Sequence, residues 1–170
     1  MISAISPRGE LRFKVSVRAY EQASDLVQIL ELARALPSWF TPSGVRSMQV
    51  DLRYQPGWVA TLEDRIVGFT SFFVNQGKAE IAWIGVRPDL HRGGIGRLLL
   101  ERLITKLKAE QIAELYVHTL GDAVEYEPYR KTRAFYRGMG FQDFKRIANP
   151  DNPECEEDLI LLLKLGEAKV

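Results

Sequence analysis

Patterns of apolar and polar residues divide the first part of the chain into one strand and two helices. Residues 12–20 alternate apolar and polar positions, which predicts a strand. Apolar residues at helical spacing predict a helix over residues 21–36, ended by Pro37. A second, shorter helix is predicted after the turn at residues 42–44.

Strands dominate the middle of the chain. Residues 57–64, 65–77 and 78–88 are three apolar segments with short turns between them, which predicts an antiparallel meander. The next segment, residues 94–110, has an apolar residue at every fourth position, and this spacing is typical of a helix. The apolar positions that carry this prediction are Ile95, Leu99, Leu103 and Leu107.

The last part of the chain continues with alternating element types. A strand is predicted at residues 114–120, a helix at 127–140, and two further strands at 141–147 and 157–165. The predicted order is β-α-α-β-β-β-α-β-α-β-β, a mixed α/β fold with one domain over residues 1–170. Its mostly antiparallel sheet is flanked by helices. One strand pair should be parallel, because the strands on either side of the 94–110 helix form a β-α-β unit.

Composition narrows the function classes. The chain has 23 basic and 22 acidic residues, a balance that gives no general attraction to nucleic acid or to a membrane surface. No apolar run approaches the length of a membrane span, and the first residues lack the apolar core of a signal peptide. Cys155 is the single cysteine, so an internal disulfide is excluded. We expect a cytoplasmic protein without nucleic-acid or membrane partners.

The run HRGGIG at residues 91–96 carries the clearest chemical signal. The first amides of a helix have no internal partner, and the helix dipole makes that end partly positive. Glycines there let an anion approach the amides closely, and Arg92 within the run and Arg97 directly after it could add positive charge. The run is neither a Walker sequence nor a dinucleotide fingerprint. A glycine-rich turn that only tightens the approach to the helix is the alternative interpretation.

Two segments together resemble the GNAT superfamily of N-acetyltransferases. The run VRPDLHRGGIGRLLL is similar to that family's acetyl-CoA motif, Gln/Arg-x-x-Gly-x-Gly/Ala, with Gly94 and Gly96 at the glycine positions and His91 where Gln or Arg is usual. The run TRAFYRGMGF is similar to the family's late helix, with Phe135 and Tyr136 at matching positions. The two motifs occur in the expected order and on the expected elements, so the resemblance covers most of the chain.

The resemblance implies a GNAT-like domain that uses acetyl-CoA as its acyl donor. It implies that the pyrophosphate lies on the loop amides and that the pantetheine arm runs along the strand that ends at Val86. A buried parallel strand without a ligand is the other interpretation of that apolar segment. The implied cofactor-binding residues are Ile84, Gly85, Val86, His91, Arg92, Gly93, Gly94, Ile95, Gly96 and Arg97.

Two residues are candidates for catalysis. An amine must be neutral to attack a thioester, so a base is useful, and Glu80 on the strand leading to the thioester resembles the family's catalytic glutamate. A solvent-facing glutamate is the alternative. Tyr136 corresponds to the family's usual proton donor to the leaving thiolate. Cys155 is surrounded by glutamates, which disfavours a thiolate, so we expect direct transfer without an acetyl-cysteine.

The resemblance implies that the acceptor is a primary amine of a small molecule or of a protein. The resemblance implies that it is bound by Trp39, Phe40, Tyr126 and Tyr129. Carboxylates in residues 121–129 and 149–158 favour a cationic acceptor, although solvated charged loops are the alternative. His118 is interpreted as a packed or surface residue, and the scattered histidines and cysteine predict no metal site.

Two functions remain open from the sequence. The first is direct N-acetyl transfer, and the second is a non-catalytic acyl-CoA-binding module that regulates or scaffolds a partner. The presence of Tyr136 and Glu80 favours the enzyme. A homodimer is compatible with the sequence.

Overall fold

The computed structural model describes residues 2–5, 11–123, 125–151 and 156–166. Within these residues, strands and helices follow one another in an order that adds one strand to the predicted one. The strands are β1 (Ile2–Ile5), β2 (Leu11–Ala19), β3 (Gly57–Leu62), β4 (Arg65–Asn75), β5 (Lys78–Val86), β6 (Glu114–Leu120), β7 (Gln142–Ala148) and β8 (Glu157–Lys164). The helices are α1 (Gln22–Arg34), α2 (Pro42–Asp51), α3 (Ile95–Ala109) and α4 (Glu127–Gly138).

The additional strand is β1, which the sequence pattern did not predict. It has four residues and pairs antiparallel with β2. A strand this short carries too few alternating positions to be recognised, and its formation depends on the partner strand. α2 also begins earlier than predicted, at Pro42, because the side chain of Thr41 caps it by accepting a hydrogen bond from the Gly44 amide at 3.1 Å.

The chain is organised as two compact units. Unit 1 comprises residues 1–73 and 83–106. In it β2 pairs antiparallel with β1 and β3, and β3 pairs antiparallel with β4. A two-residue turn joins β3 to β4, and Glu63 and Asp64 both have positive φ there, as in a type I′ hairpin.

A single buried cluster joins both helices of the N-terminal half to the strands of unit 1. Its members come from α1, α2, β3, β4 and the segments that follow each helix: Ile29, Leu30, Leu32, Ala33, Leu36, Val45, Met48, Leu52, Val59, Ile66 and Phe69. The residues of α1 in this list have the spacing that the sequence pattern predicts. Burial of such side chains contributes about 1.5–3 kcal/mol each relative to exposure, so this cluster stabilises the part of unit 1 that precedes the glycine-rich run.

Unit 2 comprises residues 74–82 and 107–170. The segment 78–81 of β5 pairs in parallel with β6, which confirms the predicted parallel pair. β6 pairs antiparallel with β8, and β8 with β7. Along β6 the odd-numbered residues are buried, while His118 is exposed and the other even-numbered positions are half-buried. One face of this part of the sheet is therefore packed, and the other presents polar side chains.

The predicted fold class, a mixed α/β fold with one parallel strand pair and flanking helices, is confirmed. The four apolar positions that predict the helix at 94–110 are at most 3% exposed in α3. One domain over residues 1–170 stays a prediction. Within the described parts of the chain, none of the helices combines the length and the apolar composition that a bilayer span requires.

Candidate active site

The glycine-rich run forms an open loop in unit 1 between β5 and α3. A short 3₁₀ turn at Pro88–Leu90 leads into it. Arg92 and Gly94 then adopt positive φ values of 63° and 85°, which reverses the chain so that α3 begins at Ile95. The side chain of Arg92 is exposed, and a Cβ built at Gly94 would meet no atom within 4 Å. The loop backbone is therefore accessible from solvent.

The first turn of α3 leaves donors outside the helical hydrogen-bond ladder. The first intrahelical bond in the loop region runs from the Leu98 amide to the Gly94 carbonyl at 3.0 Å. The amides of residues 95–97 precede it, and such groups attract anions. Arg97 adds less charge than the sequence suggests, because its Nε donates to Glu101 Oε1 at 2.7 Å. A phosphate group fits this site, because the amides can donate hydrogen bonds to it and the position of Gly94 leaves space for it.

His91 links the loop to the end of β5. Because a carbonyl can only accept, the imidazole Nε2 donates to the Val86 carbonyl, at 2.7 Å. The ring of Trp39 meets the His91 ring edge-on, with 5.6 Å between centroids. His91 thus fixes the position of the loop relative to the strand end. Phe40 instead packs on the buried cluster, with its ring centroid 6.2 Å from that of Phe69.

Gly85 has a packing reason to be glycine. A Cβ at this position would lie 2.8 Å from Cε1 of Phe69 and 3.2 Å from Cδ1 of Leu36, both of which are buried. Ile84 and Val86, on either side of it, are half-buried. The strand end therefore presents these two residues, while the third residue of the predicted pantetheine-binding segment faces the core.

The predicted base lies on the polar face of the sheet in unit 2. Glu80 is opposite Tyr116 in the parallel pairing of β5 with β6. Its carboxylate Oε1 is 3.7 Å from Nε2 of His118, and its side chain is 32% exposed. The Nδ1 of the same histidine donates to Asp158 Oδ2 at 2.6 Å. This contact raises the pKa of His118 above its ordinary value, and the charges of Asp158 and Glu80 add to the effect against the opposing effect of burial.

The predicted acid, Tyr136, is buried on α4. Its ring packs against Phe135 and Phe141, with centroid separations of 5.3 and 5.4 Å. Burial raises the pKa of Tyr136 well above its ordinary value of 10.0, and the proximity of Tyr129 adds to this. The phenol is therefore protonated at neutral pH, as a proton donor must be. Tyr126 and Tyr129 contact each other with 6.0 Å between ring centroids.

Arginines neutralise two of the described carboxylates in the acidic segments of unit 2, Asp122 and Glu157. Asp122 pairs with Arg133, Arg137 and Arg146, and the hydrogen bond from Arg146 does most to lower the pKa of Asp122. Three carboxylates form a network with these three arginines: Asp122, Asp143 on β7 and Glu157 at the start of β8. Asp122 and Glu157 therefore favour a cationic acceptor less than the sequence suggests.

Arg133 also has a structural role. Its side chain is almost completely buried, and it donates to the carbonyls of Leu120 and Gly121 at 2.8 and 3.0 Å. It thereby holds the segment that connects β6 to α4. Cys155, the rejected nucleophile, and its neighbour Glu154 lie outside the described residues. Among the residues that the structure describes, no group of three or more His, Cys, Asp or Glu side chains could hold a metal ion.

Sequence reasoning missed the pairing of His118 with Asp158. The two residues are 40 positions apart and become neighbours only through the register of β6 with β8. That register depends on strand pairing, which a single sequence does not reveal. The only available signal was the position of His118 on the polar face of a predicted strand.

Comparisons with known proteins agree on one family. The family model described as "Acetyltransferase (GNAT) family" matches residues 26–141. A Salmonella typhimurium (strain LT2) protein named ribosomal protein bS18-alanine N-acetyltransferase is 27% identical over 145 residues, which cover 82% of this chain and 88% of that protein.

Solved structures show the same fold. The ribosomal-protein-S18-alanine N-acetyltransferase from Escherichia coli superposes with a TM-score of 0.73 at 22% identity, over 92% of this chain and 97% of that chain. The PaiA N-acetyltransferase from Thermoplasma acidophilum, solved in complex with coenzyme A, has a TM-score of 0.68 at 17% identity, over 89% of this chain and 99% of that chain.

Proposed function

The chain belongs to the GNAT family of acetyltransferases, and from this premise we propose that it transfers an acetyl group directly from acetyl-CoA to a primary amine. The observation that carries the proposal is the accessible loop before α3, where Arg92 and Gly94 hold positive φ and the amides of residues 95–97 precede the helical ladder. This arrangement suits the pyrophosphate of coenzyme A by donor type and by space.

The residues proposed to hold the acyl donor all lie in unit 1. The loop supplies His91, Arg92, Gly93, Gly94, Ile95, Gly96 and Arg97, and the strand end supplies Ile84, Gly85 and Val86. When bound, acetyl-CoA supplies an activated thioester. The chain's own task at this end is to orient it. Gly85 faces the core, and the Val86 carbonyl already accepts a hydrogen bond from His91. The orientation of acetyl-CoA along the strand therefore depends on Ile84 and on the remaining backbone groups.

Proton transfer is the task of unit 2 in this proposal. Glu80 holds the ammonium of the acceptor and assists loss of its proton, since the free amine is the nucleophile. Tyr136 donates a hydrogen bond or a proton to the departing sulfur, for which its raised pKa keeps it protonated. Tyr136→Phe keeps the ring that packs on Phe141, so we expect an intact fold and a kcat lowered about 10²-fold. Tyr54→Phe, at an 83% exposed tyrosine, is the matched control.

The acceptor is proposed to be a primary amine of a small molecule or of a protein. The name of the Salmonella relative makes a peptide that begins with alanine the first acceptor to test. Trp39, Phe40, Tyr126 and Tyr129 are the proposed acceptor-binding aromatics. Among them Phe40 is packed on the core and Tyr126 is 39% exposed, so Tyr126 has more surface to offer a ligand. A cationic acceptor is favoured by Glu80 and Asp158 rather than by Asp122 and Glu157, which arginines neutralise.

The experiment is release of free thiol from acetyl-CoA by the purified protein. The panel contains polyamines, amino acids, aminoglycosides, basic peptides and an alanine-initiated peptide. Binding of coenzyme A is measured first by calorimetry. Release that depends on one acceptor class would support the enzyme and identify that class. Binding without release from any member would favour the non-catalytic acyl-CoA-binding alternative, and absence of binding would contradict the proposal.

A further inference from the structure

His118 is the one imidazole that the described part of unit 2 contains, and it lies between two carboxylates from neighbouring strands. Asp158 on β8 accepts from its Nδ1 at 2.6 Å, and Glu80 on β5 stands 3.7 Å from its Nε2. The three side chains are partly exposed, at 42% for His118, 32% for Glu80 and 20% for Asp158. A ligand can therefore reach them from solvent.

Strand register brings the three residues to one face. Glu80 is opposite Tyr116, and His118 follows two residues later on β6, so both point to the same side. On the other edge of β6, His118 is opposite Ile160, and Asp158 is two residues from Ile160 on β8. The arrangement is thus built into the pairing of three adjacent strands rather than into a loop.

The hydrogen bond to Asp158 determines which ring nitrogen is available. A carboxylate can only accept, so Nδ1 carries the proton of the neutral imidazole and Nε2 holds the lone pair. Nε2 faces Glu80 across a gap that is too long for a direct hydrogen bond. One nitrogen atom placed in this gap can lie about 2.9 Å from both groups, as a primary ammonium requires.

We propose that the acceptor's ammonium binds between Glu80 and His118, that His118 Nε2 takes its proton, and that Asp158 is the positioning residue for the imidazole. This inference rests on the proposed acetyl transfer. It refines the role of Glu80, which holds the ammonium while the proton goes to the histidine. A base acts best when its pKa is near the working pH, and imidazole is the side chain whose ordinary pKa meets that condition.

The proton and electron balance is complete without a further reactant. One N–H bond of R–NH₃⁺ breaks and an N–H bond forms on Nε2, which turns imidazole into imidazolium. The amine lone pair then forms the C–N bond while the C–S bond breaks. The second proton leaves the nitrogen and ends on the coenzyme A sulfur as the thiol. His118 returns its proton to solvent, and Asp158 stabilises the imidazolium in the interval.

The pH dependence follows from the groups that face the ring. These are Glu80 from β5 and Asp158 from β8, while Tyr116, on the same face of β6, donates its hydroxyl to Glu114. The two carboxylates raise the pKa of His118 above its ordinary value of 6.5. The fraction of His118 in the neutral, proton-accepting form therefore increases as the pH rises through that raised pKa. Asp158→Asn should move this limb of the kcat/KM profile to lower pH and should also lower kcat, because the ring is no longer held.

The test compares three variants on the panel member that gives the fastest thiol release with the wild-type protein. His118→Gln should lower kcat about 10²-fold with the KM for acetyl-CoA unchanged. Asp158→Asn should lower kcat by a smaller factor. It should also shift the limb of the kcat/KM profile to lower pH, measured between about pH 6 and pH 9, the range that spans imidazole titration. Glu114→Gln is the control. It removes a carboxylate that lies on the same face of β6 as His118 but pairs with Lys78. It should behave as wild type.

A second measurement does not depend on turnover. NMR titration of the His118 ring in the ligand-free protein should give a pKa above 6.5 that falls in Asp158→Asn. Wild-type kcat in His118→Gln, or a ring pKa that Asp158→Asn leaves unchanged, would overturn the inference while the acetyl transfer stands. A wild-type protein that binds coenzyme A but releases no thiol with any acceptor contradicts the proposed transfer itself, and the inference with it.

Discussion

Replacing Gly94 by alanine separates the folding role of the loop from its proposed role in binding coenzyme A. The structure offers a matched control in Gly77, at the turn between β4 and β5. The two glycines have φ values of 85° and 76°, and a Cβ at either would meet no atom within 4 Å. Steric crowding is therefore absent at both positions, and the cost of each substitution comes from the backbone conformation alone.

The expected magnitudes differ for folding and for binding. A left-handed backbone costs a non-glycine residue about 1–2 kcal/mol, so Gly94→Ala and Gly77→Ala should each lower the free energy of unfolding by this amount. Only at Gly94 does the added methyl group stand beside the amides proposed to bind the pyrophosphate. Loss of one charge-assisted hydrogen bond, about 1.5–3 kcal/mol, corresponds to a Kd for coenzyme A raised roughly 10- to 100-fold.

Urea unfolding measures the first quantity, and calorimetric titration with coenzyme A measures the second. We expect similar unfolding midpoints for the two variants and weakened binding for Gly94→Ala alone. Equal coenzyme A affinity in both variants, together with equal destabilisation, would show that the ligand does not use this loop. Weaker coenzyme A binding in both variants would show that general destabilisation causes the effect. This result would also refute the reasoning.

Two further predictions concern stability. Gly85→Ala should lower the free energy of unfolding by about 1–3 kcal/mol, because the added Cβ meets the buried Phe69 ring. Gly138→Ala, in open space on α4, should instead raise the free energy of unfolding by about 0.5–1 kcal/mol. Equal urea midpoints for the two variants would contradict this prediction. Arg18 lowers the pKa of Asp25 below its ordinary value of 3.8, so this pair stabilises the fold above that pH and less as pH falls. The stability difference between wild type and Asp25→Asn should therefore shrink below about pH 4, and a constant difference in acid would exclude the ion pair as its source.

Local patterns predicted most of the elements because their signals are short-range. The helical spacing of Ile95 and Leu99 predicts α3, and both side chains are buried as that spacing implies. The parallel pair followed from chain connectivity, since a strand, a helix and a strand in succession constrain the direction of the second strand. β1 was missed because four residues hold little pattern and their pairing depends on β2.

The candidate site was less accessible to sequence reasoning because its contacts cross strands. Glu80 was identified from resemblance, but its distance from His118 follows from the register of β5 with β6. Gly85 was interpreted as part of a ligand-facing strand, whereas its constraint comes from Phe69 in the core. Asp122 is one of the carboxylates from which a cationic acceptor was predicted, and the arginines that neutralise it lie on α4 and β7.

The arginine–carboxylate network of unit 2 bears on how a substrate arrives. Its three guanidinium groups and three carboxylates sum to no net charge, and the field of such a cluster falls off faster with distance than that of an isolated charge. Long-range steering of an acceptor by this network is therefore weak. The network should therefore add little to any dependence of the association rate on ionic strength, and its influence on the choice among amines is limited to contacts made after the encounter.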